Sequence, residues 1–391
     1  LKSVDNKSDF IAAGETGSLF SETADPAGGD ASAEAAYSAE YLVITTSDLI
    51  AAFMALTDHR SSAQGGGYTT HIEDIADIDT NYTGIDLAEK MRDYITDMYS
   101  TGTRFVVLGG DVDFIPTRGC YAVVGDTVDY NIPSDLYFGC LDGTWDGDGD
   151  GIWGETTDGV DGGDIDWNSE VYVGRISVDN SNEADNHIQK IIASETGDRP
   201  NRTLMVGENL DAEPTYGGDR MDWVYSFMDG IPVTTLYDRD ATWPKSDLIN
   251  LINNTHQQHH WINHLGHSND TYNMRLYNSD IGAMLNSEYF LVYSQGCYSG
   301  NIDRDDCFGE AITNNYSDKG AHAYIGNSRY GWYNPGDYVE GASNLMHKEF
   351  VEAVFTDNIT RLGEANQIPK ASLHQGTYRW IAFELNLLGC P

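Results

Sequence analysis

The sequence predicts an α/β protein: a parallel-sheet sandwich with helices on both faces. Three observations predict it. Short, almost wholly apolar runs recur along the chain, segments with helical periodicity lie between them, and 40% of the residues are apolar, enough to build a core. Parallel strands need crossover connections, usually helices, so they are buried on both faces and read as continuous apolar runs. None of the runs approaches the ~20 apolar residues of a membrane helix.

Residues 1–39 have no sustained period and are rich in Ala, Gly, Ser and acid, as expected of a flexible leader or propeptide. They contain no apolar signal core, and the start at Leu1 reads as that of a processed or engineered fragment. YLVITT (41–46) is the first strand. IDLAEKMRDYITDMY (85–99) sets Leu87, Met91, Tyr94, Ile95 and Met98 on one helical face. RFVVLGG (104–110) and EVYVGRI (170–176) are strands, followed by the helical NEADNHIQKIIASE (182–195). The second half repeats this logic, with strands RTLMVGE (202–208), HWINHLG (260–266), YFLVYSQG (289–296) and AHAYIGN (321–327). Helical patterns between and after them cover 219–229, 246–254, 307–315 and 341–355. A boundary at GDRPN, near 197–201, divides the chain into the leader (1–39), an N-terminal α/β sub-domain (40–198) and a second sub-domain (199–391).

Net charge is −40, which repels nucleic acid and anionic membranes, so neither is an expected partner. Such a surface suits a cation-rich, extracellular medium, and the protein is expected to be secreted and monomeric. The five cysteines leave at least one thiol unpaired within the chain. In a secreted protein the other four allow three pairings, of which Cys120–Cys140 with Cys307–Cys390 is the expected one; in a reducing compartment all would be free.

In open parallel sheets, sites form outside the carboxyl ends of the strands. Three strands end on chemically capable residues: RTLMVGE at Glu208, HWINHLG just before His267, and YFLVYSQG just before Cys297. If these strands are neighbours, the three converge. A thiolate is a nucleophile, a histidine can activate it and protonate a leaving amine, and a carboxylate can orient the histidine. The backbone N–H groups of Ser268 and Cys297 could face a developing oxyanion. Against this stands the plainer reading, a small core cysteine and a hydrogen-bonded histidine.

These residues carry a resemblance. HWINHLGHSND followed by YFLVYSQGCYSGNIDRDDCFGEAI resembles the catalytic core of the gingipain-type cysteine peptidases, whose fold is the caspase-like αβα sandwich. RFVVLGGDVDFIPTR, SDLYFGCLDGTWDGDGDGIWGE, SEVYVGRISV, RLGEANQIPKASLH and ELNLLGCP resemble further segments of that family, in order, over about 40–391. The resemblance implies Cys297 as nucleophile, His267 as catalytic histidine and Glu208 as the acid completing the site. It implies Asp219 at the base of a pocket for the residue before the scissile bond (P1), with Trp332 as its aromatic wall and Ser328 in the same segment, GNSRYGWYNPG. Protein and peptide substrates cut after Arg, with Lys second, follow from it. Asp219 also reads as a helix N-cap, and Asp222 is an alternative carboxylate. Two departures stand out: the family usually has Gly where Ser268 follows His267, and an acid where Cys390 stands.

DGTWDGDGDGIWGE (142–155) stacks Asp142, Asp146, Asp148, Asp150 and Glu155, which suits a structural Ca²⁺, although Thr157 holds the twelfth loop position where a bidentate acid is usual. DGVDGGDID (158–166) could add ligands. HQQHHWINHLGH offers five histidines, but strand alternation splits them between faces, which argues against zinc. Peptidases of this kind are made as zymogens, so the leader is expected to be a partner of the mature chain, released by self-cleavage at Lys2, Lys7 or the apparently exposed Arg60. Two other classes compete: an inactive calcium-binding adhesion module on the same fold, and a cysteine amidase or transpeptidase.

Overall fold

Burial along the strands follows the pleat. In β1 (Tyr41–Thr45) all residues are buried; Leu42 and Ile44 join one core cluster while Tyr41 and Val43 join another. β12 (Phe290–Ser294) behaves alike: Leu291 and Tyr293 pack with one cluster, Phe290 and Val292 with a second. Only a sheet covered on both faces produces this division. The structure, a computed structural model, describes residues 38–159, 164–197, 200–212, 214–337 and 341–391. The expected leader, with Lys2 and Lys7, therefore falls almost wholly outside the described residues.

The remaining strands are β2 (Thr70–Asp74), β3 (Phe105–Gly109), β4 (Arg118–Val124), β5 (Thr127–Ser134), β6 (Tyr172–Ile176), β7 (Thr203–Gly207), β8 (Val233–Tyr237), β9 (Trp261–Leu265), β10 (Tyr272–Asn273), β11 (Leu276–Tyr277), β13 (Ala321–Asn327) and β14 (Leu385–Leu388). Ten of the strands form one sheet in the order β2-β1-β3-β6-β14-β13-β12-β9-β7-β8, so the two halves of the chain share it. Every pair in it is parallel except β13 with β14. This is the mixed α/β architecture that the sequence predicts. β14 follows directly on α10 (Thr377–Glu384) and runs parallel to β6 and antiparallel to β13.

Helices α1 (Ile50–Ser61), α3 (Leu87–Ser100), α4 (Ser181–Thr196), α5 (Gly217–Tyr225), α7 (Phe308–Asn314) and α8 (Ala342–Phe355) flank the sheet, together with α2 (Ile75–Asn81), α6 (Lys245–Ile252) and α9 (Leu362–Ser372). Asp86 caps α3 by accepting the Glu89 N–H, and Asn180 caps α4 likewise. The edge strands β2 (THIED) and β8 (VTTLY) escape the sequence pattern because an edge is only half covered and tolerates polar residues.

Arg175 on β6 is fully buried. It pairs with Asp135 through two hydrogen bonds (2.7 and 2.8 Å) and donates to the carbonyls of Gly110, Ile115 and Pro116. Removing one side of such a pair strands a buried charge. Asp135→Ala is expected to cost about 3–5 kcal/mol, read as a lower denaturant midpoint; an unmoved midpoint would show that the pair is dispensable.

Two expectations are corrected, the disulfide pairing and the exposure of Arg60. All five cysteines are free. Cys307 packs in the cluster around β7 and β12, whereas Cys390 lies in the one around α1 and α4, with Sγ 3.1 Å from the Tyr41 hydroxyl. Cys140 meets Ser169 and Gln367 rather than Cys120, which turns to the Arg118 carbonyl. Arg60 is not an exposed tip: it is buried in α1 and bound bidentately to Glu195 (2.6 and 2.8 Å), beyond the reach of a protease. The histidines disperse. His259 meets Thr234, His260 stacks on His322 and His264 meets Ser294, so none joins a metal-capable cluster among the described residues.

Candidate active site

β9 pairs with β7 on one side and β12 on the other, so the strands ending near Glu208, His267 and Cys297 are neighbours. Convergence goes further at the loop tips. The Ser268 hydroxyl donates to the Cys297 carbonyl at 2.7 Å. A Cβ on Gly296 would stand 2.1 Å from the Ser268 oxygen, so only glycine allows these two turns to touch. The serine that departs from the family pattern thus fastens the histidine turn to the cysteine turn.

Cys297 is partly open, whereas the other cysteines are buried. Burial pushes its thiol up to about 11, and Sγ lies 4.0 Å from the Gly331 carbonyl. Tyr298, next in the chain, holds a left-handed φ of 60°, strain of about 1–2 kcal/mol at a non-glycine residue. Its N–H donates to the Arg329 carbonyl at 2.7 Å, which keeps the turn in place.

His267 is exposed, and its Nε2 lies 3.0 Å from the Leu210 carbonyl. A carbonyl only accepts, so Nε2 carries the proton and the neutral ring leaves Nδ1 as its basic nitrogen. Glu208 is buried but does not orient His267 directly. Its Oε1 is 3.4 Å from Nε2 of His264, whose Nδ1 is 2.9 Å from the Ser294 hydroxyl. That hydroxyl accepts the Gly296 N–H at 3.1 Å. The acid is therefore joined to the cysteine turn through His264. Sequence reasoning missed this link because His264 sits on the buried strand, where it passes for a core residue.

Trp332 is half-buried, edge-on to Trp380 at 5.7 Å, and its backbone N–H donates to the Ser343 hydroxyl. Arg329 clamps the whole segment, binding Asp129, Asp303, Asn301 and the Asn131 carbonyl. Ser328, expected beside a substrate, is fully buried and turned toward the Pro133 carbonyl at 3.5 Å. Asp219 lies in the first turn of α5 and is paired, with Asp222, to Arg239 at 2.7 Å each.

The acidic loop regroups. Carboxylate oxygens of Asp146, Asp148 and Asp158 lie within 4.8 Å of one another, as do those of Asp142, Asp166 and Glu170. Asp150 and Glu155 join neither group among the described residues; Asp150 instead accepts the Ile152 N–H. Asp158 is buried and accepts N–H groups from Gly147 and Glu155. All-oxygen triads of this kind fit a hard divalent cation. Of the 158–166 segment, residues 160–163 lie outside the described residues.

The fold compares well with solved structures. The Arg-specific cysteine proteinase gingipain R superposes with a TM-score of 0.68 at 15% identity, over 90% of this chain and 77% of that one. A complex of the pro- and mature domains of Porphyromonas gingivalis RgpB gives 0.67 at 16%, over 90% and 78%. Among curated proteins, a Lys-gingipain of P. gingivalis is 24% identical over 195 residues, 47% of this chain but only 11% of the relative. The model of Peptidase family C25 matches residues 34–391. With the sheet, the strand-end residues and this match in agreement, the chain belongs to Peptidase family C25.

Proposed function

We propose that this chain is a cysteine endopeptidase that cleaves after Arg, and second after Lys, with Cys297 as nucleophile and His267 as acid/base. The observation that carries the reading is the Ser268–Cys297 hydrogen bond, which ties the histidine and cysteine turns together at the ends of adjacent strands. In this reading, Nδ1 of His267 accepts the thiol proton as Sγ attacks the scissile carbonyl. The imidazolium then protonates the leaving amine, and water, deprotonated by the same ring, releases the acyl group. The N–H groups of Ser268 and Cys297 stabilise the oxyanion. Glu208, acting through His264 and Ser294, is a positioning residue. A P1 Arg or Lys is supported by the names of the relatives, an Arg-specific and a Lys-directed gingipain. A binding module would have no use for an open thiol beside a histidine turn. Fluorogenic peptide amides with P1 Arg, Lys and a neutral residue test the proposal: turnover of the first two that iodoacetamide stops is expected, and no turnover of any would refute it.

The 142–170 region is proposed to hold structural Ca²⁺, with Asp146, Asp148 and Asp158 as one ligand set and Asp142, Asp166 and Glu170 as another. The ion would offset the mutual repulsion of these carboxylates and fix the loop. A site filled to 100 times its dissociation constant contributes about 2.7 kcal/mol. Chelation is therefore expected to lower the melting temperature, with recovery on adding Ca²⁺ but not K⁺; an unchanged melting temperature would remove calcium from the account.

Secretion is proposed from the −40 net charge, and among the described residues no helix is long and apolar enough to cross a membrane. Residues 1–39 are proposed to act as a propeptide trimmed by the same site. Cys297→Ala protein made in a protease-free extract should keep its leader; trimming in that variant would exclude self-processing.

A further inference from the structure

We infer that Asp211, and not Asp219, is the carboxylate that recognises a cationic P1 side chain; this rests on the reading above that such a side chain binds beside Cys297. Asp211 directly follows Leu210, the residue whose carbonyl holds His267. Its Oδ1 accepts the Tyr333 hydroxyl at 2.8 Å. Its Oδ2 is buried and has no hydrogen-bond partner among the described residues. A carboxylate oxygen withdrawn from water with nothing to accept from is costly, and native proteins retain one where a ligand completes it.

The position fits a P1 side chain. Gly331 lies against the Cys297 sulfur, and two residues along the same segment Tyr333 reaches the Asp211 carboxylate with its hydroxyl. Between them, Trp332 offers an aromatic wall for its methylenes or guanidinium. Asp219 is placed differently: it is 43% exposed and already paired to Arg239, which it shares with Asp222 and Asp240, while the buried Arg220 lies near both Asp219 and Asp211. Asp211 also differs in capacity. Oδ1 accepts one bond from Tyr333 and keeps a second lone pair, so with Oδ2 it can still receive the two parallel bonds of a guanidinium, while an ammonium uses one. The Tyr333 hydroxyl holds the carboxylate in that orientation.

The test compares the full chain with its Asp211→Asn, Asp219→Asn and Tyr333→Phe variants on peptide amides that differ only at P1: Arg, Lys and the uncharged citrulline. Alkylation of Cys297 by iodoacetamide serves as the check that the site is intact. Asp211→Asn is expected to lower kcat/KM for Arg and Lys by on the order of 100-fold or more, because a buried cation loses its only partner. Citrulline turnover and alkylation should stay within a few-fold. Asp219→Asn should change the cationic substrates by less than tenfold, and Tyr333→Phe, which releases the carboxylate from its hydrogen bond, should lower turnover of both Arg and Lys peptides relative to citrulline. The inference is overturned if Asp211→Asn keeps its preference for Arg and Lys over citrulline, or if Asp219→Asn suffers the larger loss. Wild-type protein that turns over citrulline but neither cationic peptide would instead defeat the specificity reading, and this inference with it.

Discussion

Cys297→Ala is expected to lower peptide hydrolysis by on the order of 10⁴-fold or more, and His267→Ala by on the order of 10²–10⁴, with the fold intact in both. The expectation rests on how differently these two side chains are placed from the others of their type. Four of the five cysteines are buried and turned to hydrogen-bond partners or core, so losing one would read out as lost stability. Cys297 is partly open, at the tip of a buried strand, and contributes little packing. His267 is exposed, whereas His264 three residues earlier is fully buried between Glu208 and Ser294. Circular dichroism and the denaturant midpoint should therefore be unchanged while turnover of a P1-Arg amide collapses. A Cys297→Ala protein that retains more than a hundredth of wild-type turnover would transfer the chemistry elsewhere. The double variant should be no worse than Cys297→Ala alone, because residues acting as one unit lose their effect together.

Alkylation of resting Cys297 by iodoacetamide is expected to accelerate roughly tenfold per pH unit from about pH 7 to pH 10, approximately a thousandfold in all. Burial holds the thiol up to about 11, above the ordinary 9.0, so the neutral form prevails below that value and the reactive thiolate grows with each unit toward it. The Nε2–H of His267 is turned to the Leu210 carbonyl and not to the sulfur, whose near neighbour is the Gly331 carbonyl. The thiol would thus be deprotonated as it attacks. A rate already flat above pH 6 would mean a standing thiolate–imidazolium pair and would refute this sequence of events.

Much of this architecture is legible in single runs of sequence. YLVIT, FVVLG, TLMVG, WINHL and FLVYS are strands in the structure at the expected places, because a strand covered on both faces must be apolar at successive positions. THIED and VTTLY escape the pattern because edge strands carry no such demand, and the antiparallel pairing of LNLL is not written in its own composition. At the site, Cys297 and His267 could be picked from their places after apolar strands. Asp211 could not: in NLDAEPT it reads as an ordinary loop acid, and the tyrosine that marks it lies 122 residues away. Arg60 failed in the opposite sense, since a basic residue before a glycine run looks exposed until Glu195, on another helix, closes over it.

By itself, the sequence determined that the chain would form a two-faced parallel sheet and that a thiol and an imidazole would stand at strand ends, because periodicity and burial are local properties of the chain. Only the tertiary structure decided that β9 lies between β7 and β12, that Glu208 meets His264 and not His267, and that Asp219 pairs with Arg239 while one oxygen of Asp211 has no partner among the described residues. Those outcomes depend on which distant side chains compete for the same few hydrogen bonds. That competition is settled only when the whole sheet has closed, and no window of sequence contains both competitors.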